Sequence, residues 1–345
     1  MSDSDRNAES SRPIRDEAPI QAPKRPIDLV AVINSYNRKA LLEQAVTSLM
    51  EALRKAPFES AVVVFEAGSN DGSKEFLEEW GRRYPGDRLE VVAPHDKRAS
   101  FSDGVNSGCA AALARFPLCR WLLLYETDNS LAQPEPLRQA ILLLSEEPRL
   151  AAAGFTVKRH DGSFTGYGMR IPSWFSLLAG PKLAGRLNLH RPNDSPWQSA
   201  NGICWRLCDI VFTSPLVIRR QAWEQVGGFD AGVFPFSDSD LDWAWRCRES
   251  GWSTAVIASE DVVHDNLQQS SPDSANRVID FHRSRLRLLK RHRSNRAPAL
   301  IKSVLFLRHG LEAIWLACRS FSDPGAKEKL AKRQQMLRSV WTGYS

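Results

Sequence analysis

The sequence lacks three features that would assign it to whole classes of protein. No run of about 18 uncharged apolar residues occurs, so a membrane-spanning helix is not expected. The six cysteines are scattered without a CxxC pair, which argues against a zinc site and is typical of a reducing compartment. No internal repeat is detectable, which argues against a solenoid. What remains is a globular composition with 43% hydrophobic and 25% charged residues.

The first 26 residues lack the apolar core that a secretory signal peptide needs. They are polar, charged and proline-bearing, a composition that favours a disordered tail. We therefore expect residues 1–26 to form a tail and the protein to remain in the cytoplasm.

Acidic residues are missing between Asp280 and Glu312, a stretch that holds nine lysines and arginines. This bias predicts contact with an anionic surface. The motifs and interleaved aromatic residues of nucleic-acid-binding proteins are absent, so no nucleic-acid partner is expected. Val304 to Phe321 is apolar with spaced charges, as in helices that lie in a membrane interface, which predicts peripheral binding at the inner face of the cell membrane. The alternative is an ordinary amphipathic helix packed on the domain.

Short apolar runs alternate with longer amphipathic ones from Leu29 to Lys158, as in a parallel sheet wrapped by helices. The predicted strands are Leu29–Ser35, Ala61–Glu66, Leu89–Ala93, Trp121–Glu126 and Leu150–Val157. The predicted helices are Ala40–Lys55, Lys74–Tyr84, Asp103–Phe116 and Glu135–Glu147. We expect an α/β domain over residues 27–270, with a hairpin turn at His160–Ser163, and a basic helical extension over residues 271–345.

Two carboxylates, Glu126 and Asp128, follow the buried strand that begins at Trp121 and emerge together at the sheet edge. Ligands of such sheets collect beyond the carboxyl ends of the strands. Like charges this close are costly without a cation, and Mg2+ or Mn2+ prefers oxygen ligands and leaves positions for diphosphate oxygens. The pair therefore predicts a metal site that stabilises a departing diphosphate, with a solvated turn as the alternative.

A glycine-rich loop, Glu66 to Ser73, follows the second predicted strand. Its acids Glu66 and Asp71 are placed to accept hydrogen bonds from a base or ribose, and a plain strand-to-helix turn is the alternative. His264, after the apolar run Asp261–Val263, is a candidate metal or diphosphate contact, or else a structural histidine.

Three acids, Asp238, Asp240 and Asp242, lie within five residues just before a predicted helix. Capping needs only one of them, so the cluster predicts a carboxylate that takes a proton from a sugar hydroxyl. Neighbouring acids raise the pKa of such a carboxyl, whereas a helix N-terminus lowers it. The sequence leaves open which effect prevails, and capping with solvation is the alternative.

Taken together and in this order, the pieces resemble the inverting glycosyltransferases of family 2, and among them the bacterial rhamnosyltransferase-like members. The matching motifs are Ala31–Arg38, Phe65–Ser73, Phe101–Ala112, Trp121–Asn129, Val217–Asp230, Phe234–Trp252 and Val262–His264. The resemblance runs from Leu29 to about His292 and implies the GT-A fold, a Rossmann-like, mostly parallel sheet flanked by helices.

The resemblance also implies roles for individual residues. It implies donor contacts at Tyr36, Arg38, Glu66, Asp71, Asp103 and Asn106, a Mg2+ or Mn2+ site at Glu126, Asp128 and His264, and a catalytic base at Asp240. Three positions depart from the family pattern: Glu66 and Glu126 replace aspartates, and Ser239 replaces a glutamate. The departures leave Asp238 and Asp242 open as alternative bases.

The implied reaction moves a hexosyl group, such as rhamnose, from a nucleotide-diphosphate sugar to a glycan or lipid-linked saccharide in cell-surface polysaccharide synthesis. We expect the acceptor beneath a long loop from Pro172 to Trp205, near Trp205, Asp242 and Trp243. One rival is a nucleotidyltransferase, which would need a glycine-rich loop that Ser35–Arg38 does not provide. Another is a non-catalytic scaffold that binds nucleotide or membrane.

Overall fold

The computed structural model describes residues 26–93, 100–166, 168–171, 186–187, 193–265, 275–292, 297–321 and 323–342. Residues 1–25 of the predicted tail lie outside the described residues, as does most of the predicted loop from Pro172 to Trp205. The described end of that loop is not irregular, because residues 198–200 and 203–205 belong to strands. None of the described helices is long and apolar enough to cross a bilayer.

A mixed sheet of nine strands forms the centre of the molecule. In spatial order the strands are β3 (Leu89–Val92), β2 (Ser60–Glu66), β1 (Leu29–Ser35), β4 (Trp121–Leu124), β11 (Leu216–Arg219), β6 (Leu150–Phe155), β12 (Ser253–Ile257), β10 (Ile203–Cys208) and β9 (Gln198–Ala200). Strand β1 pairs in parallel with β2 and β4, whereas β11 is antiparallel to β4 and β6. The predicted α/β architecture is confirmed, and β4 ends two residues earlier than predicted.

Helices cover both faces of this sheet. The first face carries α1 (Lys39–Arg54), α2 (Ser73–Arg83) and α4 (Glu135–Glu146), and the second carries α3 (Phe101–Arg115), α5 (Arg220–Val226) and α6 (Ser239–Glu249). Both faces of β1 are buried because its side chains alternate between the two layers. Helix α3 approaches β1 closely at Gly108, where a Cβ atom would lie 2.5 Å from Val32 Cγ1.

A small second sheet lies beside the end of β4. Its strands, in order, are β5 (Asn129–Leu131), β13 (Val262–His264), β7 (Val157–Lys158) and β8 (Phe164–Gly166). The register of β13 against β5 places His264 opposite Asn129. The predicted hairpin turn is confirmed between β7 and β8, with Gly162 at a φ of 81°.

Three helices end the chain: α7 (Ala275–His292), α8 (Ala297–Arg319) and α9 (Pro324–Thr342). Leu288 of α7 packs against the domain, in a cluster with Phe234 and Leu241. Leu286 and Leu289 of the same helix pack against Ile301 and Leu305 of α8. Helix α7 therefore joins the domain to α8, while the boundary near residue 270 remains a prediction.

Candidate active site

Parallel pairing brings the carboxyl ends of β1, β2 and β4 to one edge of the sheet. The register aligns Ser35 at the end of β1 with Glu66 at the end of β2, and Val32 with Leu124 at the end of β4. The first two loops are bonded together, since the Asn37 amide donates to Ser69 Oγ at 2.9 Å and the Asn70 amide donates to Asn37 Oδ1 at 2.9 Å. The polar residues beyond three separate strands therefore form one rim.

The two acids of the glycine-rich loop hold that loop in shape. The Glu66 carboxylate is buried and accepts from the backbone amides of Gly68 and Ser69, at 3.1 and 2.8 Å. Asp71 accepts from the Lys39 amide at the start of α1 and from Ser73 at the start of α2. Burial acts to raise the pKa of Asp71, but the hydrogen bonds from Ser73 and Lys39 lower it below its usual value. A role at the donor remains a prediction for both.

Asp128 lies at the centre of the rim, almost buried, between two basic side chains. Arg38 Nη1 is 3.6 Å from Asp128 Oδ2, and His264 Nδ1 is 3.3 Å from Asp128 Oδ1. Burial acts to raise the pKa of Asp128, but His264 and Arg38 lower it. Burial acts to lower the pKa of His264, but Asp128, then Glu126 and Asp265, raise it. Two of the three residues predicted at a metal, Asp128 and His264, are thus neighbours, paired with each other.

The residues around Asp128 have the chemistry of a cation site. Within the described residues, Asp128 Oδ1 is buried and makes no hydrogen bond, because its neighbour His264 Nδ1 is bonded to Asn129 Oδ1 at 3.1 Å, so it keeps acceptor capacity. The neighbouring Glu126 carboxylate accepts a short hydrogen bond from the Thr213 hydroxyl. Across the described ranges, no three His, Cys, Asp or Glu side chains are grouped to hold a metal unaided. The acids fit a hard divalent ion whose remaining ligands come from elsewhere, such as a diphosphate.

Asp240 lies at the start of α6, partly exposed, with its Oδ1 accepting from the Leu241 amide at 3.0 Å. Burial raises the pKa of Asp240 to about 7, and the charges of Asp238 and Glu126 add to this effect. The N-terminus of α6 is expected to lower the pKa of Asp240, but burial and the neighbouring charges outweigh it. A carboxyl with this pKa can accept and release a proton near neutrality.

Asp238, by contrast, is buried and paired. Its Oδ2 is 2.9 Å from Arg285 Nε on α7. Burial raises the pKa of Asp238 to about 6, while Arg285 acts to lower it. Asp238 therefore serves Asp240 as a charged neighbour.

The three residues expected at the acceptor are buried, which corrects that expectation. Asp242 is fully buried and lies 2.8 Å from Arg246 Nε and 2.9 Å from His292 Nε2. Trp243 is also buried, and its indole N–H donates to Gly227 O at 3.0 Å. Trp205 is buried in the core on β10. None of them offers an exposed surface to a ligand, and the buried ion pairs of Asp242 argue against its use as the base.

Two of the residues expected at the donor make contacts within the fold, and their role at the donor stays a prediction. Asp103 forms a capping box with Ser100 at the start of α3, accepting from its amide and hydroxyl at 3.1 and 2.6 Å. Asn106 uses both ends of its amide on the backbone of Phe229, at 2.7 and 2.8 Å. Tyr36 and Arg38, in contrast, do lie at the rim, and Tyr36 is exposed.

Sequence patterns did not reveal the contribution of α7. Its arginines fall in the basic run predicted to face an anionic surface, yet several face the domain. Arg285 pairs with Asp238, and Arg291 Nη1 lies 2.5 Å from Asp230. Thr213 was missed as well, because nothing in the surrounding sequence marks it as a partner of Glu126.

Known proteins share both the sequence pattern and the architecture. A family model described as glycosyltransferase-like family 2 matches residues 26–198. A protein of Mycobacterium tuberculosis, N-acetylglucosaminyl-diphospho-decaprenol L-rhamnosyltransferase, is 26% identical over 273 residues, covering 74% of this chain and 82% of its own.

Two solved glycosyltransferase structures share the architecture of this chain. Mannosyltransferase PcManGT from Pyrobaculum calidifontis, in complex with GDP-Man and Mn2+, superposes with a TM-score of 0.51 at 13% identity, covering 92% of this chain and 87% of its own. GalNAc-T7 with UDP, GalNAc and Mn2+ gives a TM-score of 0.52 at 13% identity, covering 77% of this chain and 48% of its own. At such identity these likenesses establish the fold.

Proposed function

The chain belongs to the glycosyltransferase-like family 2 and is a nucleotide-sugar-dependent glycosyltransferase with the GT-A fold, and we propose that it transfers a hexosyl group, such as rhamnose, with inversion to a lipid-linked saccharide. The mycobacterial relative is named for a rhamnosyl group and a polyprenyl-diphosphate-linked acceptor. This name supports both the proposed sugar and the proposed lipid-linked acceptor. The product would be an intermediate of cell-surface polysaccharide.

The observation that carries the proposed mechanism is the environment of Asp240. Burial raises the pKa of Asp240 to about 7, and the charges of Asp238 and Glu126 add to this effect. At neutral pH part of the enzyme therefore has an ionised Asp240, and this carboxylate is more basic than an ordinary one. Asp240 is also partly exposed, unlike Asp238 and Asp242. Of the three acids, it alone combines access with a suitable pKa.

In the proposed reaction Asp240 takes the proton of the acceptor hydroxyl. The hydroxyl oxygen attacks the anomeric carbon from the face opposite the diphosphate. A bond forms between that oxygen and the carbon while the bond from the carbon to the diphosphate oxygen breaks, and the nucleoside diphosphate leaves with the electron pair. A single displacement of this kind inverts the anomeric configuration.

The donor would lie along the rim formed by the first two loops. We assign the nucleoside to the loop that Glu66 and Asp71 hold in shape, and Tyr36 to the exposed edge beside it. Arg38, which reaches Thr127 Oγ1 at 3.5 Å, would meet the diphosphate with its positive charge.

A divalent ion, Mg2+ or Mn2+, would be held by Asp128 with Glu126 and His264 beside it. When bound, it would supply positive charge to the diphosphate leaving group. Asp128 Oδ1, which makes no hydrogen bond within the described residues, supports this assignment, and so does the Mn2+ bound to two structural relatives.

For the acceptor we propose Phe236 in place of the buried residues. Its side chain is 63% exposed, and it precedes Asp238 by two residues. The segment before it is fixed, because Ser102 donates through its amide to Pro235 O and through its hydroxyl to Phe234 O, at 3.0 and 2.5 Å. An exposed aromatic ring on a fixed support can stack on a sugar or contact a lipid chain.

We place the enzyme on the cytoplasmic side, bound peripherally to the membrane that carries its acceptor. The division into a catalytic domain, residues 27–270, and an extension, residues 271–345, belongs to the same proposal. The acid-free basic stretch between Asp280 and Glu312 supports it.

A donor and acceptor screen tests the proposal. The purified chain with Mn2+ is given a panel of nucleotide-diphosphate sugars with or without a polyprenyl-diphosphate GlcNAc, and nucleoside diphosphate release is measured. Acceptor-dependent release with a product of inverted anomeric configuration by NMR is expected. Synthesis of a nucleotide sugar from sugar 1-phosphate and nucleoside triphosphate would instead indicate a nucleotidyltransferase. Nucleotide binding without any turnover would indicate a scaffold.

A further inference from the structure

Helix α8 has two apolar faces, of which only one is covered by protein. The inner face packs against the neighbouring helices through Ile301, Leu305, Ala313 and Leu316, all buried. A helix that merely packs on a domain has a polar outer face. The outer face of α8 departs from that rule.

The outer face is an exposed apolar stripe. It consists of Leu300, Leu307, Leu311, Ile314 and Trp315, each between 56% and 65% exposed. The spacings of seven, four, three and one place them within about 100° of the helix circumference. At 1.5 Å per residue the stripe is roughly 22 Å long. It is therefore a continuous surface rather than scattered apolar residues.

Positive charge predominates in the helices that carry this stripe. Residues 275–342 contain 16 lysines and arginines against four acids, whereas the rest of the chain contains 30 against 36. Beside the stripe, the Arg319 guanidinium lies 4.9 Å from the centre of the Trp315 ring, and its side chain is about half exposed. Lys327 and Lys329 of α9 are exposed as well. The C-terminal helices thus have a strongly positive surface around an apolar stripe.

We propose that this stripe, defined as Leu300, Leu307, Leu311, Ile314 and Trp315, inserts into the interface of an anionic lipid bilayer. Apolar side chains flanked by arginine and lysine, with tryptophan at the edge, match the layered chemistry of acyl chains and anionic headgroups. A second copy of the chain fits less well, because two such faces would bring like charges together. Since the opposite face of α8 is buried against protein, the helix lies along the bilayer surface.

This position of α8 at the bilayer surface adds detail to the membrane binding proposed above. The identity of the membrane rests on that proposed function. Helix α8 packs on α7 through Leu289 and Ile301, and Arg285 of α7 pairs with Asp238 beside Asp240. The bilayer contact and the proposed base are therefore joined by one helix. An enzyme seated in this way would meet a lipid-linked acceptor at the membrane surface.

Vesicle co-sedimentation tests the stripe without donor or acceptor, so its outcome is independent of catalysis. The full chain is mixed with vesicles of phosphatidylcholine alone or with 30% phosphatidylglycerol. The double variant Leu311→Glu, Ile314→Glu should lower binding to the anionic vesicles by about tenfold or more, because it removes apolar contact and adds negative charge. The control is Leu118→Glu, at a residue that is 72% exposed but far along the chain from α8. It should bind like the unaltered chain.

The two exposed cysteines give a second measurement that keeps the stripe intact. Cys318, on α8 just beyond the stripe, and Cys204, on β10, are exposed, while Cys109, Cys119, Cys208 and Cys247 are buried. An environment-sensitive fluorophore on Cys318 in the Cys204→Ser variant should shift to the blue on addition of anionic vesicles. The same fluorophore on Cys204 in the Cys318→Ser variant should not shift.

Three results would overturn the proposal. One is equal vesicle binding by the unaltered chain and the Leu311→Glu, Ile314→Glu variant, which would indicate attraction by charge alone. Another is an unchanged Cys318 signal with vesicles. The third is a dimer in sedimentation equilibrium that the double variant converts to a monomer, since a second copy would then cover the stripe. Glycosyl transfer could persist in all three cases.

Discussion

The pH dependence of transfer reports directly on the electrostatics around Asp240. If Asp240 must be ionised to act, kcat/KM should rise with pH and level off above about 7, the pKa to which burial and the charges of Asp238 and Glu126 raise it. Asp238→Asn removes one of these charges and leaves Arg285 unbalanced. Both changes favour the ionised form of Asp240, so the rising limb should move to lower pH.

One pKa unit corresponds to about 1.4 kcal/mol, and we take an effect of about this size for the loss of the Asp238 charge. A fall in the Asp240 pKa from about 7 to about 6 raises its ionised fraction at pH 6 by about fivefold. Activity at pH 6, relative to the plateau, should rise by the same factor.

A variant expected to raise the pKa of Asp240 provides the control. Arg285→Gln removes a positive charge that lowers the pKa of Asp240, so its limb should move to higher pH. Profiles of all three proteins are measured at one saturating Mn2+ concentration. Limbs that do not move, or that move in the same direction, would refute the assignment of the limb to Asp240.

The remaining predictions concern the metal and the interior. Asp128→Asn should abolish the Mn2+ dependence of nucleotide-sugar binding measured by calorimetry, whereas Asp161→Asn in the exposed hairpin turn should not; equal Mn2+ dependence in both would contradict the metal assignment. Asp242→Ala should lower the free energy of unfolding by about 3–5 kcal/mol, because Arg246 and His292 lose a buried partner. Unchanged denaturant unfolding in that variant would contradict the structural role of Asp242.

Much of the fold could be predicted because buried parallel strands leave an unambiguous pattern. The run from Leu29 to Ile33 is apolar, as expected of a strand covered on both faces, and the observed strand has the predicted bounds, Leu29–Ser35. The strand from Trp121 was predicted too long. It ends at Leu124, and a turn at residues 127–128 leads to β5, closed by the Asn129 amide donating to Glu126 O. The apolar pattern does not show where the strand ends.

The acids near α6 show why site residues were harder to predict. Asp238 and Asp242 are four residues apart and meet Arg285 and His292, which are seven apart on α7. Both spacings repeat on one face of a helix, so these acids face α7 and are buried, while Asp240 faces elsewhere. Arg246, four residues after Asp242, is a local partner, but Arg285 and His292 lie more than 40 residues further along the chain, so the sequence around the three acids does not reveal that two of them are buried.

The basic stretch shows the same limit of a sequence pattern, and its contact with an anionic surface stays a prediction. Charge bias predicts a surface, but it does not give the direction of each side chain. Arg285 and Arg291 point into the domain toward Asp238 and Asp230, whereas Arg319 lies on the outside with Trp315. The metal role of Asp128, which follows the strand that begins at Trp121, stays a prediction.

The central claim is that Asp240 is the base of an inverting transfer, and Asp240→Asn tests it most directly. With a donor identified by the screen, transfer by this variant should fall by about 10²–10⁴-fold while donor binding by calorimetry stays within about twofold. Transfer at the unaltered rate in the Asp240→Asn variant would contradict the claim.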